Sequence, residues 1–340
     1  MNQTHFTAIV VGAGPGGLTA AAALKDRGID DVLVIEKGEI GQAWLDYPAE
    51  THLLSESSEA NDDNMIADLK MADVMPNVPH PSHLAYQKYL RTVVEQKKLQ
   101  VLPHTCVVKV EWSEEQSQFT ITTESGEVFT AQFLIWAAGM FTTPNESLEG
   151  EEYYVHYARI KDYTQITDSE VTVVGSANGA SGVVMALAQP GRVVTMIATH
   201  EYTIPEPIDC LWKENMKFIK DLEKQGLVKI KENFRAAKIE KAEEGYRLIS
   251  TTGESVTSTT KPIVCIGFLP TIETVKNYVG THEDGHDWLL DLDEHHQSRR
   301  QSGLYFAGTL GKLIADEGFI RHFRNFGPVI ADDILEKVKK

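Results

Sequence analysis

One phrase occurs twice in the chain. Near the N-terminus runs "AIVVGAGPGGL", from Ala8 to Leu18, and in mid-chain runs "VTVVGSANGASG", from Val171 to Gly182. Each is a short continuous apolar run that feeds a glycine-rich turn and then a segment rich in Ala and Val. A continuous apolar run of this length suits a strand buried on both faces of a parallel sheet. Parallel strands need crossover connections, usually helices, so the pattern commits the chain to an α/β fold. In the first turn Gly12, Gly14 and Gly17 stand at G-x-G-x-x-G, with Pro15 and Gly16 between them. The first glycine permits a tight turn, the second lets a pyrophosphate approach the backbone, and the third lets helix and strand pack closely. The helix "PGGLTAAAALKDRG" stops at Gly28, and its amino end offers free N–H groups and a favourable dipole to an anion. The strand "DVLVIEKG" then ends at Glu36, an acid placed to accept hydrogen bonds from a ribose 2′-hydroxyl.

The second turn, Gly175-Ser176-Ala177-Asn178-Gly179-Ala180, fits a relaxed G-x-A-x-x-A. The helix "NGASGVVMALAQ" follows and ends at Pro190-Gly191, and the strand "RVVTMIAT" comes next. The simplest reason to repeat the unit is two dinucleotides; a second fold that packs without a cofactor stays open at this level. No Lys or Arg lies between Val193 and Trp212, and His200 and Glu201 stand where a 2′-phosphate usually recruits an arginine. The reading leans to NADH over NADPH, with a basic group from another loop as the alternative.

At 340 residues the chain is long for one core, which favours two domains. The formal charge of −17 makes a nucleic acid a poor partner and reads as solubility. Three cysteines, Cys106, Cys210 and Cys265, show no C-x-x-C spacing, and an odd count argues against a disulfide framework. A reducing cytoplasm fits that usage. The N-terminus runs straight into a strand with no signal-peptide features, and no apolar run reaches the ~18 residues of a membrane span. The expected partner is a small molecule, not a membrane; a homo-oligomer is left open.

These stretches resemble the two-dinucleotide-binding flavoproteins, the superfamily of thioredoxin-reductase-like enzymes and flavin-containing monooxygenases. Bacillithiol-disulfide-reductase-like members are closest in length and motif order. The resemblance covers nearly the whole chain. It implies two Rossmann-like three-layer domains, with FAD at the first turn and NADH or NADPH at the second. The nicotinamide domain (161–267) would be inserted into the FAD domain (1–160 and 268–340). "GQAWLDYPAETHLLSESS" resembles the segment beside the isoalloxazine, through Gly41, Trp44, Tyr47, Pro48 and Ser57. "FLIWAAGMFTTPN", with Ala137-Ala138-Gly139, and "PIVCIGFLPTIE", with Gly267 and Pro270, resemble the two interdomain crossovers. "GLYFAGTLG" resembles a late FAD-binding strand, with Thr309 after Gly308 where many relatives place Asp. By resemblance, the flavin site takes Gly12, Gly14, Pro15, Gly16, Gly17, Glu36, Lys37, Gln42, Trp44, Tyr47, Ser57, Val108, Ala138, Gly139, Gly308, Thr309 and Phe319. The nicotinamide site takes Gly175, Asn178, Gly179, Ala180 and Gly267.

Two departures bear on the reaction. There is no C-x-x-C, and Gly16 stands where bacillithiol-type reductases carry Cys. The stretch "DEGFIRHFRNFG" brings Arg321, His322 and Arg324 as candidate catalytic groups for flavin or substrate electrostatics; a charged helix start at the surface is the alternative. The function implied is an FAD-dependent pyridine-nucleotide oxidoreductase. NAD(P)H would reduce FAD, which passes electrons without a protein dithiol to a small acceptor, with a low-molecular-weight disulfide among the candidates. An N- or S-monooxygenase and a redox-sensing flavoprotein without turnover are the alternatives.

Other features read as structural. His282, His286, His295 and His296, with Asp284, Asp287, Asp291 and Asp293, match no strong metal spacing and suit a solvated loop. His156, in "YYVHYARIKDY", suits a linker histidine; it also resembles the histidine ending a monooxygenase interdomain signature. Cys210 is expected in a loop and Cys265 mid-strand in the core. Hairpins are expected at Ser125-Gly126 and within "YRLISTTGESVTSTT", and Ser82 is a plausible N-cap.

Overall fold

Strand β1 (His5–Val11) runs through the first glycine turn into helix α1 (Pro15–Asp26), and β2 (Val32–Ile35) lies parallel to β1 with Ile35 opposite Val11. The computed structural model describes residues 4–49, 51–53, 55–58, 62–202, 213–281, 289–313 and 318–340. Cys210, His282, Asp284, His286 and Asp287 lie outside these. Pro15 opens α1, where its missing N–H costs nothing. Gly28, at φ +80°, takes the left-handed conformation just beyond the helix end. Two short helices, α2 (Gln42–Leu45) and α3 (Met71–Val74), precede α4 (His83–Lys97). The Ser82 hydroxyl caps α4 by accepting from the Ala85 N–H at 3.2 Å.

β3 (Val101–Leu102) extends the parallel sheet beyond β2. β4 (Val107–Ser113), β5 (Gln118–Thr123) and β6 (Val128–Trp136) form an antiparallel meander, turned at Gly126 with φ +86°. β6 serves two kinds of neighbour. Its first half pairs antiparallel with β5, and it also lies parallel to β1.

The chain divides into two compact units. The first is Met1–Asp46, His52–Thr142 and Pro270–Lys340; the second is Tyr47–Thr51 and Thr143–Leu269. In the second, β7 (Val155–His156), β8 (Glu170–Val174), α5 (Asn178–Leu187), β9 (Val193–Ile197), α6 (Lys213–Lys224) and β10 (Val228–Lys231) follow in order. β11 (Ala236–Lys241), β12 (Tyr246–Ser250) and β13 (Ser255–Ser258) make an antiparallel sheet of their own, and β14 (Ile263–Val264) closes the parallel one. The parallel order is β10-β9-β8-β14-β7. The passage into this unit falls at Thr143, earlier than the expected position near 160, because 143–160 is bonded into the second unit. Leu269 N–H donates to the Thr143 carbonyl (2.8 Å), Asn145 N–H to Gly267 (3.0 Å), and β7 pairs with β14.

Back in the first unit, β15 (Leu304–Phe306) pairs parallel with the second half of β6, and α7 (Ile320–Val338) ends the chain. Phe323, Phe326, Ile330 and Ile334 form the buried stripe of α7. Burying each contributes roughly 1.5–3 kcal/mol as an upper bound. That stripe joins α1, β1 and β2 in one core, and the meander covers a second core around Phe119, Ile121 and Phe306. Both parallel sheets carry helices between their strands, as an α/β chain requires.

Candidate functional site

The first turn is closed by backbone geometry. Gly12 has φ +110°, and a Cβ there would collide with the Ala137 carbonyl. A Cβ on Gly17 would collide with the Gly12 carbonyl and sit 3.2 Å from Ala137 Cβ. Glycine is required at both. Gly14 differs: it is the N-cap of α1, makes no side-chain cap, and has nothing within 4 Å of a built Cβ. The uncapped amino end of α1 therefore opens on a cradle shaped for an anion. Glu36 is buried (7% exposed), and its Oε2 accepts from Ala13 N–H at 2.7 Å and its Oε1 from Gly38 N–H at 2.9 Å. Each oxygen keeps acceptor capacity for a ribose diol. Lys37, beside it, is exposed; Val108 on β4 is 51% exposed. Cradle, acid and open wall fit the adenosine diphosphate half of FAD.

Gly16 faces a second loop. A Cβ on it would collide with Cα and N of Gly308, whose own φ is +68°. Gly308 starts the turn Gly308–Leu310, which keeps Thr309 buried. His296 steadies this turn: its Nδ1 is 2.6 Å from the Gly311 carbonyl and its ring lies 4.4 Å from Phe326. Asp291 pairs with Arg299, and Asp293 accepts from the N–H groups of His295 and Gln297. These described members of the histidine–aspartate stretch hold a loop together.

Helices α1 and α7 run in the same direction. Thr19 abuts Gly327, where a Cβ would meet Thr19 Cγ2 at 2.8 Å, and Arg27 pairs with Asp332 at 2.5 Å. Their amino ends thus face the same end of the unit. At the start of α7, Phe319 provides no side-chain cap. The Arg321 guanidinium lies 5.0 Å from the Phe319 ring centroid, and its Nε donates to His322 Nε2 at 3.3 Å. His322 Nδ1 then carries the proton. That atom is buried and has no hydrogen-bond partner among the described residues, so it is placed to donate. Arg324 turns elsewhere, to the Asp62 carbonyl at 3.4 Å. The three candidate catalytic residues therefore do not form one group.

Of the residues expected beside the ring system, several are already occupied. Ser57 is buried and bonded to Asn64 Nδ2 (2.8 Å) and Met71 Sδ (3.6 Å). Gln42 Oε1 accepts from Glu39 N–H at 3.0 Å. The Trp44 ring meets Tyr86 edge-on at 4.6 Å, and its carbonyl is 2.6 Å from His83 Nδ1. His83 Nε2 is another buried ring nitrogen with no partner among the described residues. The Ser82 cap next to it was the available signal in the sequence. Ala138 and Gly139 follow β6, and Gly139 (φ +70°) accepts from Thr271 N–H at 3.0 Å.

The second turn repeats the first in detail. Gly175 has φ +123°, and a Cβ there would collide with the Cys265 carbonyl, as Gly12 would with Ala137. The N-cap Ala177 (φ −84°, ψ −173°) copies Gly14 (φ −84°, ψ −178°). Asn178 Oδ1 accepts from Asn215 at 3.0 Å, and Ala180 is buried. A Cβ on Gly179 would lie 2.8 Å from the Tyr157 hydroxyl, so that phenol lies against the amino end of α5. Burial drives the Tyr157 phenol far above its ordinary range and Tyr47 up to about 12. His156 Nε2 donates to the Gly267 carbonyl (2.9 Å), and its Nδ1 accepts from Ala158 N–H (3.3 Å). Burial lowers its pKa, so the ring stays neutral. Cys265 lies just past β14, not within it; it is buried, and burial pushes its thiol far up.

The profile of the pyridine nucleotide-disulphide oxidoreductases matches residues 9–308. Bacilliredoxin reductase Bdr of Bacillus subtilis (strain 168) is 27% identical over 338 residues, which covers 97% of this chain and 98% of that protein. Cyclohexanone 1,2-monooxygenase of Acinetobacter sp is 29% identical over 237 residues, but the match spans 64% of this chain and 42% of the monooxygenase. Among solved structures, the bacillithiol disulfide reductase Bdr from Staphylococcus aureus aligns with a TM-score of 0.83 at 25% identity, covering 98% of this chain and 99% of that one. Two repeated nucleotide turns, an anion cradle and a family match over residues 9–308 place the chain in the pyridine nucleotide-disulphide oxidoreductase family, as an oxidoreductase that works with FAD and NAD(P)H.

Proposed function

We propose that the first unit seats FAD, the second seats NADH or NADPH, and the acceptor is a small molecule reduced at the cofactor without a protein thiol. Bound FAD supplies a two-electron relay between reduced nicotinamide and an acceptor. The chain's own residues supply the rest. The amino end of α1 and Glu36 hold the pyrophosphate and ribose. The amino end of α7, with the Nδ1–H of His322, offers donors to negative charge on the ring system. His156 holds the Gly267 carbonyl in place.

The observation that carries this reading is the contact of Gly16 with Gly308, which leaves no room for a side chain at position 16. Cys265 is buried and its thiol is held protonated. A low-molecular-weight disulfide is the acceptor class that the relatives' names favour. The test is anaerobic turnover with NAD(P)H and a panel of small disulfides and quinones, in wild type and in a variant carrying Cys106→Ala, Cys210→Ala and Cys265→Ala. Turnover is expected to survive. Loss of turnover while the nucleotide still bleaches the flavin would overturn it. Oxygen uptake matched by oxygenation of an added amine or thioether would assign the chain to the oxygenases instead.

A further inference from the structure

The two nucleotide turns can be superposed hydrogen bond by hydrogen bond. Gly12 N–H donates to the Ile35 carbonyl at 2.8 Å, and Gly175 N–H to Ile197 at 2.9 Å. Ala137 N–H donates to Val11 at 2.8 Å, and Cys265 N–H to Val174 at 2.7 Å. Beyond the strand ends, Glu36 N–H donates to Leu102 (2.9 Å) and Ala198 N–H to Lys231 (2.8 Å). Thr105 N–H then returns to the Glu36 carbonyl (2.8 Å), and Phe234 N–H to Ala198 (2.9 Å). Ala198 therefore occupies, in the second unit, the place of Glu36 in the first.

The consequence is chemical. At Glu36 a carboxylate can accept from a ribose diol, and it would repel a 2′-phosphate. At Ala198 there is a methyl group, fully buried in the core of its unit. The strand end itself supplies no cation for a 2′-phosphate. The stretch from Val193 to Trp212 has no Lys or Arg. Two nearby lysines are engaged by carboxylates: Lys231 is bound to Glu254 at 2.6 Å, and Lys220 lies 3.2 Å from Glu223 and 3.6 Å from Glu232. His200 and Glu201 are exposed. The missing arginine argued for NADH; the missing carboxylate removes the group that would enforce it.

We infer that Ala198 makes the second site indifferent to the 2′-phosphate, so that NADH and NADPH are both used. This rests on the proposed seating of the nicotinamide nucleotide in the second unit. A site lacking both the acceptor for the hydroxyl and the cation for the phosphate leaves no buried polar group unpaired with either ligand, and discrimination is correspondingly weak.

The test uses the FAD-loaded protein under anaerobic conditions. Stopped-flow reduction gives the rate and the dissociation constant for each nucleotide, and calorimetry gives the affinities of NAD⁺ and NADP⁺ without turnover. The wild-type efficiencies for NADH and NADPH are expected to agree within about tenfold, since no charge-assisted contact separates them. Ala198→Glu should move the ratio about tenfold or more toward NADH, and His200→Arg about tenfold or more toward NADPH. Both shifts should appear in the oxidised-nucleotide affinities. His200 is exposed, so His200→Arg keeps the test alive if a buried Glu unfolds the unit. A wild-type preference beyond tenfold in either direction, or a His200→Arg variant with the ratio unmoved, overturns the inference. Failure of both nucleotides to reduce the flavin would instead remove the seating on which it rests.

Discussion

Gly16→Cys would put a thiol into the first turn. The built Cβ collides with Cα and N of Gly308 and lies 3.1 Å from the Ala307 carbonyl carbon. Carbon atoms rest at ~3.5–4.0 Å, so the turn and the 308 loop must part by roughly 1 Å. Overpacking of this kind costs about 1–3 kcal/mol. At ~2–4 °C per kcal/mol for a unit of roughly 150–250 residues, such as the first, that unit should melt roughly 2–12 °C lower in the apoprotein. Gly14→Ala is the matched control. Its backbone is extended, at φ −84° and ψ −178°, and nothing lies within 4 Å of the new methyl. That variant should melt like wild type without cofactor, yet take up FAD more weakly, because the methyl fills the cradle. Differential scanning fluorimetry of apo and FAD-loaded protein, with flavin-fluorescence titration, separates the two effects. The reasoning is refuted if Gly16→Cys melts and binds FAD as wild type does, or if Gly14→Ala is the less stable apoprotein.

Glu36→Gln removes a charged acceptor bound to two backbone N–H groups, and should weaken FAD binding by roughly 10- to 100-fold in a titration of apoprotein. His156 has its pKa lowered by burial from 6.5, so the unfolded chain takes the proton first; stability is full above that value and falls as pH drops through it. The melting temperature should therefore drop between about pH 7 and pH 5 more steeply in wild type than in His156→Gln, a difference that buffered thermal scans would reveal. His322→Phe deletes the unpartnered Nδ1 donor; the midpoint potential of bound FAD should become more negative by spectroelectrochemistry, with the fold intact by circular dichroism. Asp332→Ala breaks a pair whose carboxylate side chain is 64% exposed, so it should cost no more than about 1 kcal/mol in urea unfolding.

Much of the local architecture was legible because it depends on neighbouring residues. The apolar runs before Gly12 and Gly175, the turn at Gly126 and the cap at Ser82 each state their conformation within a few positions. Long-range pairing was less so. Nothing near Thr143 announces that Leu269 will bond to it, and β7 has too few residues to reveal its pairing with β14 by pattern. The contact of Gly16 with Gly308 brings together positions from opposite ends of the chain, which no periodicity encodes. His322 was visible as a titratable group at a helix start, but its tautomer follows from the Arg321 contact. Ser57 carries both kinds of information: its motif suggested a cofactor contact, and its bonds to Asn64 and Met71 had no signal in the sequence. The pairing of Glu36 with Ala198 lay in plain view in "LVIE" and "TMIA", once the two phrases are aligned on their turns.

The matching backbone bonds of the two turns carry a cost for assembly. Sockets built on one pattern of main-chain donors present nearly the same invitation to any adenosine diphosphate. On the seating proposed above, a newly made chain must avoid trapping nicotinamide dinucleotide where flavin belongs. The main chain cannot make that distinction, so correct loading falls to a few side chains, to the loops around the flavin ring, and to which coenzyme reaches the folding chain first.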